Sequence, residues 1–395
     1  MFPKLRFKEF DENWKEVTLK NCITSIDSGW SPQCESYPAN SSEWGVLKTT
    51  SVDWSGFNSS FNKKLPLELT PRKEIEVKPL DILVTRAGPT ERVGVVSVVP
   101  HSVRSKLMIS DKLIRLKSNE ENNPLFLGIS LSSVKCQNQL QSKTSGLAKS
   151  QTNISQKILG EVLLKLPSKE EQTKIASFLS AVDEKISQLT KKHELLSQYK
   201  QGMMQKLFSQ QVRFKADDGS EFGEWEEKLI KDIADVKGGK RIPKGYALVN
   251  ENTGHPYITV SDMNRSYSID RTNIRYVPLE VVDTIKRYTI TDKDIFISVA
   301  GTLGIIGKIP TEFNGANLTE NADKLTNLKC HQDFLIYLLD SGYLSELIES
   351  TATTSAQPKL ALYAIEQLEI QIPCLEEQTK IANFLSAIDQ KIEVV

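Results

Sequence analysis

The chain has 395 residues, of which 39% are hydrophobic and 25% charged, with 50 Lys and Arg against 50 Asp and Glu. This is the make-up of an ordinary soluble protein of two to three domains, and it excludes a bulk polycation, so any contact with nucleic acid has to come from a local basic face. The halves differ, with 30 basic and 22 acidic residues in 1–210 against 20 and 28 in 211–395. From the start, MFPKLRFKEF has no apolar signal-peptide segment, and no later run approaches the roughly 20 apolar residues that cross a bilayer. Residues 11–28 read as a short docking element, and GWSPQCESYPANSSEW (29–44) reads as loop. GVLKTTSVDW, DILVTRAG and RVGVVSVVP then read as strands, the second ending in an Ala87-Gly88 turn and the third stopping at Pro100. NPLFLGISLSSV (123–134) is helix-like. The same order returns later as HPYITVSDM (255–263), YTITDKDIFISVAG (288–301), LGIIGKIP (303–310) and a helix over 331–350. Strands followed by helices in each half predict an α+β class.

The order returns because the chain is duplicated. Residues 166–186 and 372–392 share 15 of 21 positions, KEEQTKIASFLSAVDEKI against LEEQTKIANFLSAIDQKI. LRFKEFDENWKEVTLKN near the start matches VRFKADDGSEFGEWEEKLIKD at 212–232, with Trp14 and Trp225 as fixed points. DILVTRAGPTERVG aligns with DIFISVAGTLGIIG, placing Asp81 over Asp294 and Gly88 over Gly301, and SGLAKSQTNI lies over TTSAQPKL with Gln151 over Gln357. Two tandem units follow, each long enough to hold its own core.

In the first copy of the repeated helix, Leu179, Val182, Ile186, Leu189, His193, Leu196, Lys200, Met203 and Leu207 alternate at three and four residues. That is a heptad seam with polar interruptions at His193 and Lys200, and the second copy, starting near Glu376 with Phe384, Leu385 and Ile388 on its apolar face, is its expected partner. The second copy ends at Val395 and reads as shortened, so the far part of the first helix is expected to show apolar side chains that another protein covers.

Catalytic readings fail on spacing. GTLGIIG and VKGGKRIPKG lack the glycine geometry of nucleotide loops. NNPLF (122–126) lacks the second proline of an adenine methyltransferase motif, which leaves Phe126 as core. Asp81 and Asp294 are lone acids ahead of a strand and read as turn caps rather than metal ligands. The five cysteines, with no CxxC pair, and the four scattered histidines suggest neither a disulfide framework nor a zinc site, and they fit a reducing cytoplasm. Basic residues do crowd the divergent segments: Lys48, Arg86, Arg92, Arg104 and Lys106 in the first unit, then Lys240, Arg241, Lys244, Arg265, Arg271, Lys286 and Arg287 in the second. Arginine can bridge guanine and lysine can meet phosphate, so these are candidate DNA contacts, each weighed against plain solvated charge.

The repeated EEQTKIA-FLSA helices, each shortly after LP or IP, and the KQGMMQKLF tail of the first resemble the conserved regions of type I restriction-modification DNA specificity subunits. The resemblance extends over essentially the whole chain. It implies two target recognition domains in tandem pseudo-repeat, separated by long antiparallel connector helices, each domain reading one part of a bipartite double-stranded DNA target. The expected division is 1–160 and 211–370 for the recognition domains, 161–210 for the central helix, and 371–395 for the shortened C-terminal helix. It further implies a non-catalytic chain without a cofactor of its own, whose helices, through Leu179, Val182, Ile186, Leu189, Leu196, Phe384, Leu385 and Ile388, dock two modification subunits. Those subunits would hold S-adenosylmethionine, and two restriction subunits would bring ATP and Mg2+. A protein-binding scaffold or an inactive specificity subunit, without sequence-specific DNA reading, is the alternative.

Overall fold

The computed structural model describes residues 5–148, 151–352 and 359–395, with the side chains of 145–151, 351 and 352 excepted. Gln357, the expected counterpart of Gln151, lies outside the described residues. Two compact units, Met1–Ser187 and Gln188–Val395, divide the chain.

In the first unit an antiparallel sheet runs in the order Ile23–Ser28, Leu113–Ser118, Ile82–Thr85, Val96–Val98. All four residues of Ile82–Thr85 are buried because the sheet is covered on both faces. Ile82, Val84, Ile114 and Leu116 join Phe126 and Leu131 in one core, while Leu83, Leu113 and Val95 join Leu47 and Met108 in another. The second core is closed by a sheet of Leu107–Met108, Gly45–Leu47 and Asn62–Lys64, the first two parallel. Asn123 starts the helix Pro124–Ser132, its side chain accepting from the Leu125 and Phe126 amides at 3.0 and 3.1 Å, with proline at the first helical position. Phe126 is core, as the missing motif implied.

The second unit repeats this plan. Its central sheet is Asp235–Gly238, Ala322–Thr326, Ile295–Ser298, Ile306–Gly307. Ile295, Ile297 and Leu325 face one core while Phe296 and Ala322 face another. Pro256–Ile258 and Ala316–Leu318 supply the matching parallel pair. The helix expected over 331–350 is broken: Gln332–Leu338 and Leu344–Ala352 flank an irregular turn where Gly342 takes a φ of 153°, in the region that favours glycine. The acids ahead of the strands cap their turns as expected, Asp81 accepting from the Lys78 amide at 2.8 Å and Asp294 from the Thr291 amide at 2.9 Å.

Each unit is shut by the same clasp. The strand Lys15–Thr18 pairs with Leu163–Leu166, and Glu226–Leu229 pairs with Glu369–Ile372, which brings the lead-in segment beside the start of the repeated helix. There the Arg6 Nε and Nη2 donate to Glu171 at 2.7 Å each, and the same atoms of Arg213 donate to Glu377 at 3.1 and 2.7 Å. The indoles of Trp14 and Trp225 donate to the same carboxylates at 3.4 and 3.2 Å. One residue on, Gln172 accepts from the Asn123 amide and donates to the Pro167 carbonyl, as Gln378 does with His331 and Pro373. The repeated EEQ is therefore a polar lock built of satisfied groups, with the glutamate side chains 1% and 0% exposed.

The long helix Lys169–Phe208 belongs to both units. From Gln188 on it runs antiparallel to Leu375–Glu393: Tyr199 stacks edge-on to Phe384 at 6.5 Å, Lys200 pairs with Asp389 at 2.6 Å, and Met204 and Leu207 enter the core that holds Leu385. The second copy is thus the partner of this part of the seam, and the far end, expected to show its apolar side chains, is core instead, Met204 and Leu207 being 8% and 1% exposed. Lys200, the polar interruption, is satisfied by Asp389 and by the rings of Tyr267 and Tyr337, whose centroids lie 4.4 and 5.0 Å away.

Replacing Glu377 by Ala leaves Arg213 and the Trp225 indole without their acceptor. A broken buried pair typically costs about 3–5 kcal/mol, and because Arg213 keeps some water we expect about 2–3 kcal/mol. Calorimetry should show the loss as a melting transition lowered by several degrees, while Glu376→Ala on the exposed neighbour stays near wild type.

Candidate nucleic-acid interface

The loops that carry the candidate contacts leave the ends of the sandwiched sheets, and the structure sorts their basic residues by what they already hold. In the first unit Arg92 pairs with Asp53 and donates to the Val52 carbonyl at 2.8 Å. Arg104 donates to the carbonyls of Glu43, Ser105 and Ala39, and the Lys106 ammonium donates to the Ser42 carbonyl at 2.8 Å. These three fasten the loops of their own unit. Arg86, at the end of the central strand, uses its backbone to hold Lys112 and Ile154, and no partner of its side chain is found among the described residues. Lys48 is half-buried and lines a cleft of about 390 Å³ with Lys63, Lys112, Ser31, Thr49 and Ser110.

In the second unit all seven candidates are exposed. Arg241 pairs with Glu320, Arg271 with Glu312 at 3.0 Å, and Lys286 with Asp283 at 2.9 Å. Lys240 lies over the Tyr288 ring at 5.6 Å. Lys244, Arg265 and Arg287 have no hydrogen-bond or ion-pair partner among the described residues. Surface pairs such as those of Arg241 and Arg271 are weak enough for an incoming phosphate or base edge to replace.

The helix residues divide as sharply. Val182 and Ile186 are 39% and 57% exposed, Leu179, Leu189 and Leu196 are half-buried, and the exposed Phe178 meets the edge of Phe7 at 5.9 Å. Leu385 and Ile388, expected on the docking face, correct that expectation: at 0% and 5% exposure they are core of the second unit, in the cluster that also holds Met204, Leu207 and Phe334, because the helix Gln332–Leu338 packs against theirs. Phe384 is half-buried between Tyr199 and Phe214.

Several groups escaped the sequence reading. Lys63, in a strand, and Lys112, in the turn before another, line the same cleft, and nothing in their local sequence marks them. Arg115 is buried, its guanidinium donating to Asp27 and to the Glu76 and Glu74 carbonyls and lying 3.7 Å from Asp81. Burial pushes the Asp81 carboxyl up, with the Lys78 amide and Arg115 opposing. In Asp294 the same burial is outweighed by hydrogen bonds from Thr326 and Lys324, and its carboxyl is held below the ordinary value. Asp323 occupies the sheet position that Ile114 fills in the first unit, and burial pushes its carboxyl up to about 6, with Lys359 offsetting only part. Among the described residues no cluster of His, Cys, Asp and Glu could hold a metal ion, and no helix is long and apolar enough to cross a membrane.

The protein-family model of the type I restriction modification DNA specificity domain matches twice, over residues 12–197 and 223–395. A putative type I restriction enzyme MjaX specificity subunit from Methanocaldococcus jannaschii is 27% identical over 409 residues, covering 100% of this chain and 91% of that protein. The EcoEI specificity subunit of Escherichia coli is 40% identical over 171 residues, 43% of this chain and 29% of its own length. In fold, the crystal structure of the S subunit of a type I restriction-modification system from M. genitalium superposes with a TM-score of 0.66 at 19% identity, covering 100% of this chain and 93% of that one.

The raised Asp323 carboxyl sets a pH dependence. Its folded value lies above the unfolded one, so its favourable contribution is complete below about pH 4 and is lost as pH rises through 6. Asp323→Asn should therefore stabilise the protein relative to wild type by about 1–2 kcal/mol at pH 7.5, after allowance for residual solvent screening, and by little at pH 4.5. Denaturant melts at the two pH values measure the difference, and an equal effect at both would refute the assignment.

Proposed function

The chain belongs to the type I restriction modification DNA specificity family, with the family's domain present twice, and from this premise we propose that each unit reads one half of a bipartite DNA target. The protein is a non-catalytic specificity subunit, and its partners are DNA and the other subunits of a restriction-modification complex. Two modification subunits dock on the exposed helix face around Val182 and Ile186 and hold the S-adenosylmethionine that methylates adenine. Two restriction subunits bring ATP and Mg2+, and the complex works in the cytoplasm.

One observation carries the reading. The two units share the clasp contact for contact and the sandwiched sheet strand for strand, yet differ in the loops at the sheet ends. There Lys48, Lys63 and Lys112 stand in one unit, while Arg241 with Glu320 and the free Lys244, Arg265 and Arg287 stand in the other. Equal scaffolds suit equal protein partners, and unequal loops suit unequal base sequences.

Exchanging residues 22–150 for the same region of another specificity subunit is expected to change one half of the methylated sequence and leave the other half intact. Genome-wide mapping of modified adenines, with modification subunits supplied, reads both halves at once. A change in both halves would defeat the one-unit, one-half reading, and absence of any site-specific mark with the unaltered chain would favour the protein-binding scaffold.

Val182→Asp with Ile186→Asp should abolish co-purification of the modification subunit while the melting temperature moves little, since both side chains are exposed in this chain. Retained complex formation would place the docking face elsewhere.

A further inference from the structure

The cleft that Lys48 lines in the first unit has features that a random patch of surface lysines does not. Three lysines line it from three separate segments: Lys48 follows the strand Gly45–Leu47, Lys63 lies in Asn62–Lys64, and Lys112 precedes Leu113–Ser118. None of the three has an acidic partner among the described residues, although many lysines of this chain do. Hydroxyls fill the space between them. The Ser110 hydroxyl is buried in the cleft wall with no hydrogen-bond partner, a state that costs free energy unless something else supplies the bond. Ser31 donates to Asp111, next in the chain to Lys112.

The second unit shows that this chemistry does not come with the scaffold. In both units a glycine backs directly onto the strand behind it: a Cβ on Gly29 would lie 1.8 Å from the Ile109 carbonyl, and one on Gly239 would lie 2.0 Å from that of Thr319. Two residues beyond, Ser31 in the first unit is replaced by Arg241 in the second, which pairs with Glu320. The Tyr257 hydroxyl fills the space by donating to the Lys240 carbonyl at 2.8 Å. There Arg241 has an acidic partner, whereas Lys48, Lys63 and Lys112 of the first unit have no ion-pair partner among the described residues.

We propose that the Lys48, Lys63 and Lys112 cleft grips the sugar-phosphate backbone of the DNA, supplying affinity without sequence information. The proposal rests on the DNA-reading function set out above and assigns this cleft to phosphates, leaving the base edges to other side chains. Lysine suits the role: it is a compact point charge with three rotatable donors, which meets phosphate oxygens from several directions but lacks the planar fork that reads guanine.

The test uses the full chain carrying Lys48→Gln, Lys63→Gln and Lys112→Gln together, beside a control with Lys20→Gln, Lys135→Gln and Lys157→Gln, three exposed lysines outside the cleft. Fluorescence anisotropy with a duplex of unrelated sequence across a salt series gives the slope of log affinity against log salt. Each phosphate contact contributes about 0.9 to that slope, so the cleft variant should lose about 2–3 and the control little. In the presence of modification subunits the cleft variant should still mark the same DNA sequence, more slowly.

An unchanged slope would overturn the cleft while leaving the DNA-reading function standing, and a changed methylation motif would show that the cleft reads bases. Inorganic phosphate that displaces the duplex from wild type at constant ionic strength would make the cleft a small-anion site and also overturn the proposal. Failure of the unaltered chain to direct any site-specific methylation would bring down both readings together.

Discussion

A carboxylate buried at the head of each repeated helix, Glu171 in one unit and Glu377 in the other, closes both folds. Burying that charge is favourable only because a bidentate arginine and an indole meet it, both from a lead-in segment far from the glutamate in sequence. The lead-in segment is thereby tied to the helix, the helix to the strand beside it, and through Gln172 and Gln378 to the first turn of the helix that covers the central sheet. Loops at the far ends of the sheets are then free to vary, since nothing in the clasp depends on them.

Where the units diverge, they do so by exchanging charge for bulk at equivalent positions. The basic partner of the strand-leading aspartate is Arg115 in the first unit and Lys324 in the second. Arg115 is spread over several acceptors and stays 3.7 Å from Asp81, whereas Lys324 sits 2.9 Å from Asp294. The two aspartates accordingly shift in opposite directions within the same turn. Ile114 against Asp323 is a similar exchange inside the sheet itself.

Much of this was legible in the sequence. The duplication, the sheet strands and the capped turns at Asp81 and Asp294 follow from repeats and periodicity, which report local geometry directly, whereas the far end of the first helix, expected to show its apolar side chains, is core. The clasp was visible only as repetition: Arg6, Trp14 and Glu171 recur as Arg213, Trp225 and Glu377, yet nothing in the spacing says that they touch. Among the loop residues legibility failed for a physical reason. Whether an arginine faces outward or is consumed by a neighbouring carbonyl, as Arg104 is, depends on loop geometry, and Lys63 and Lys112 meet only through folding. The seam read as one continuous stripe. In the structure its end is core at Leu207, beside Met204, and its beginning stands exposed at Val182 and Ile186.

That division has a consequence for the newborn chain. Met204, Leu207 and Phe208 are synthesised ahead of the unit whose core they complete, and Leu385 follows Leu207 by about 180 residues. At about 5–20 residues per second the ribosome leaves this apolar helix end without its final cover for roughly 10–40 s. Throughout that interval the first unit can already be closed by its own clasp, so the nascent chain carries a finished domain trailing a sticky helix. This is the condition in which a chaperone, or a neighbouring nascent copy on the same messenger, has its best opportunity to bind.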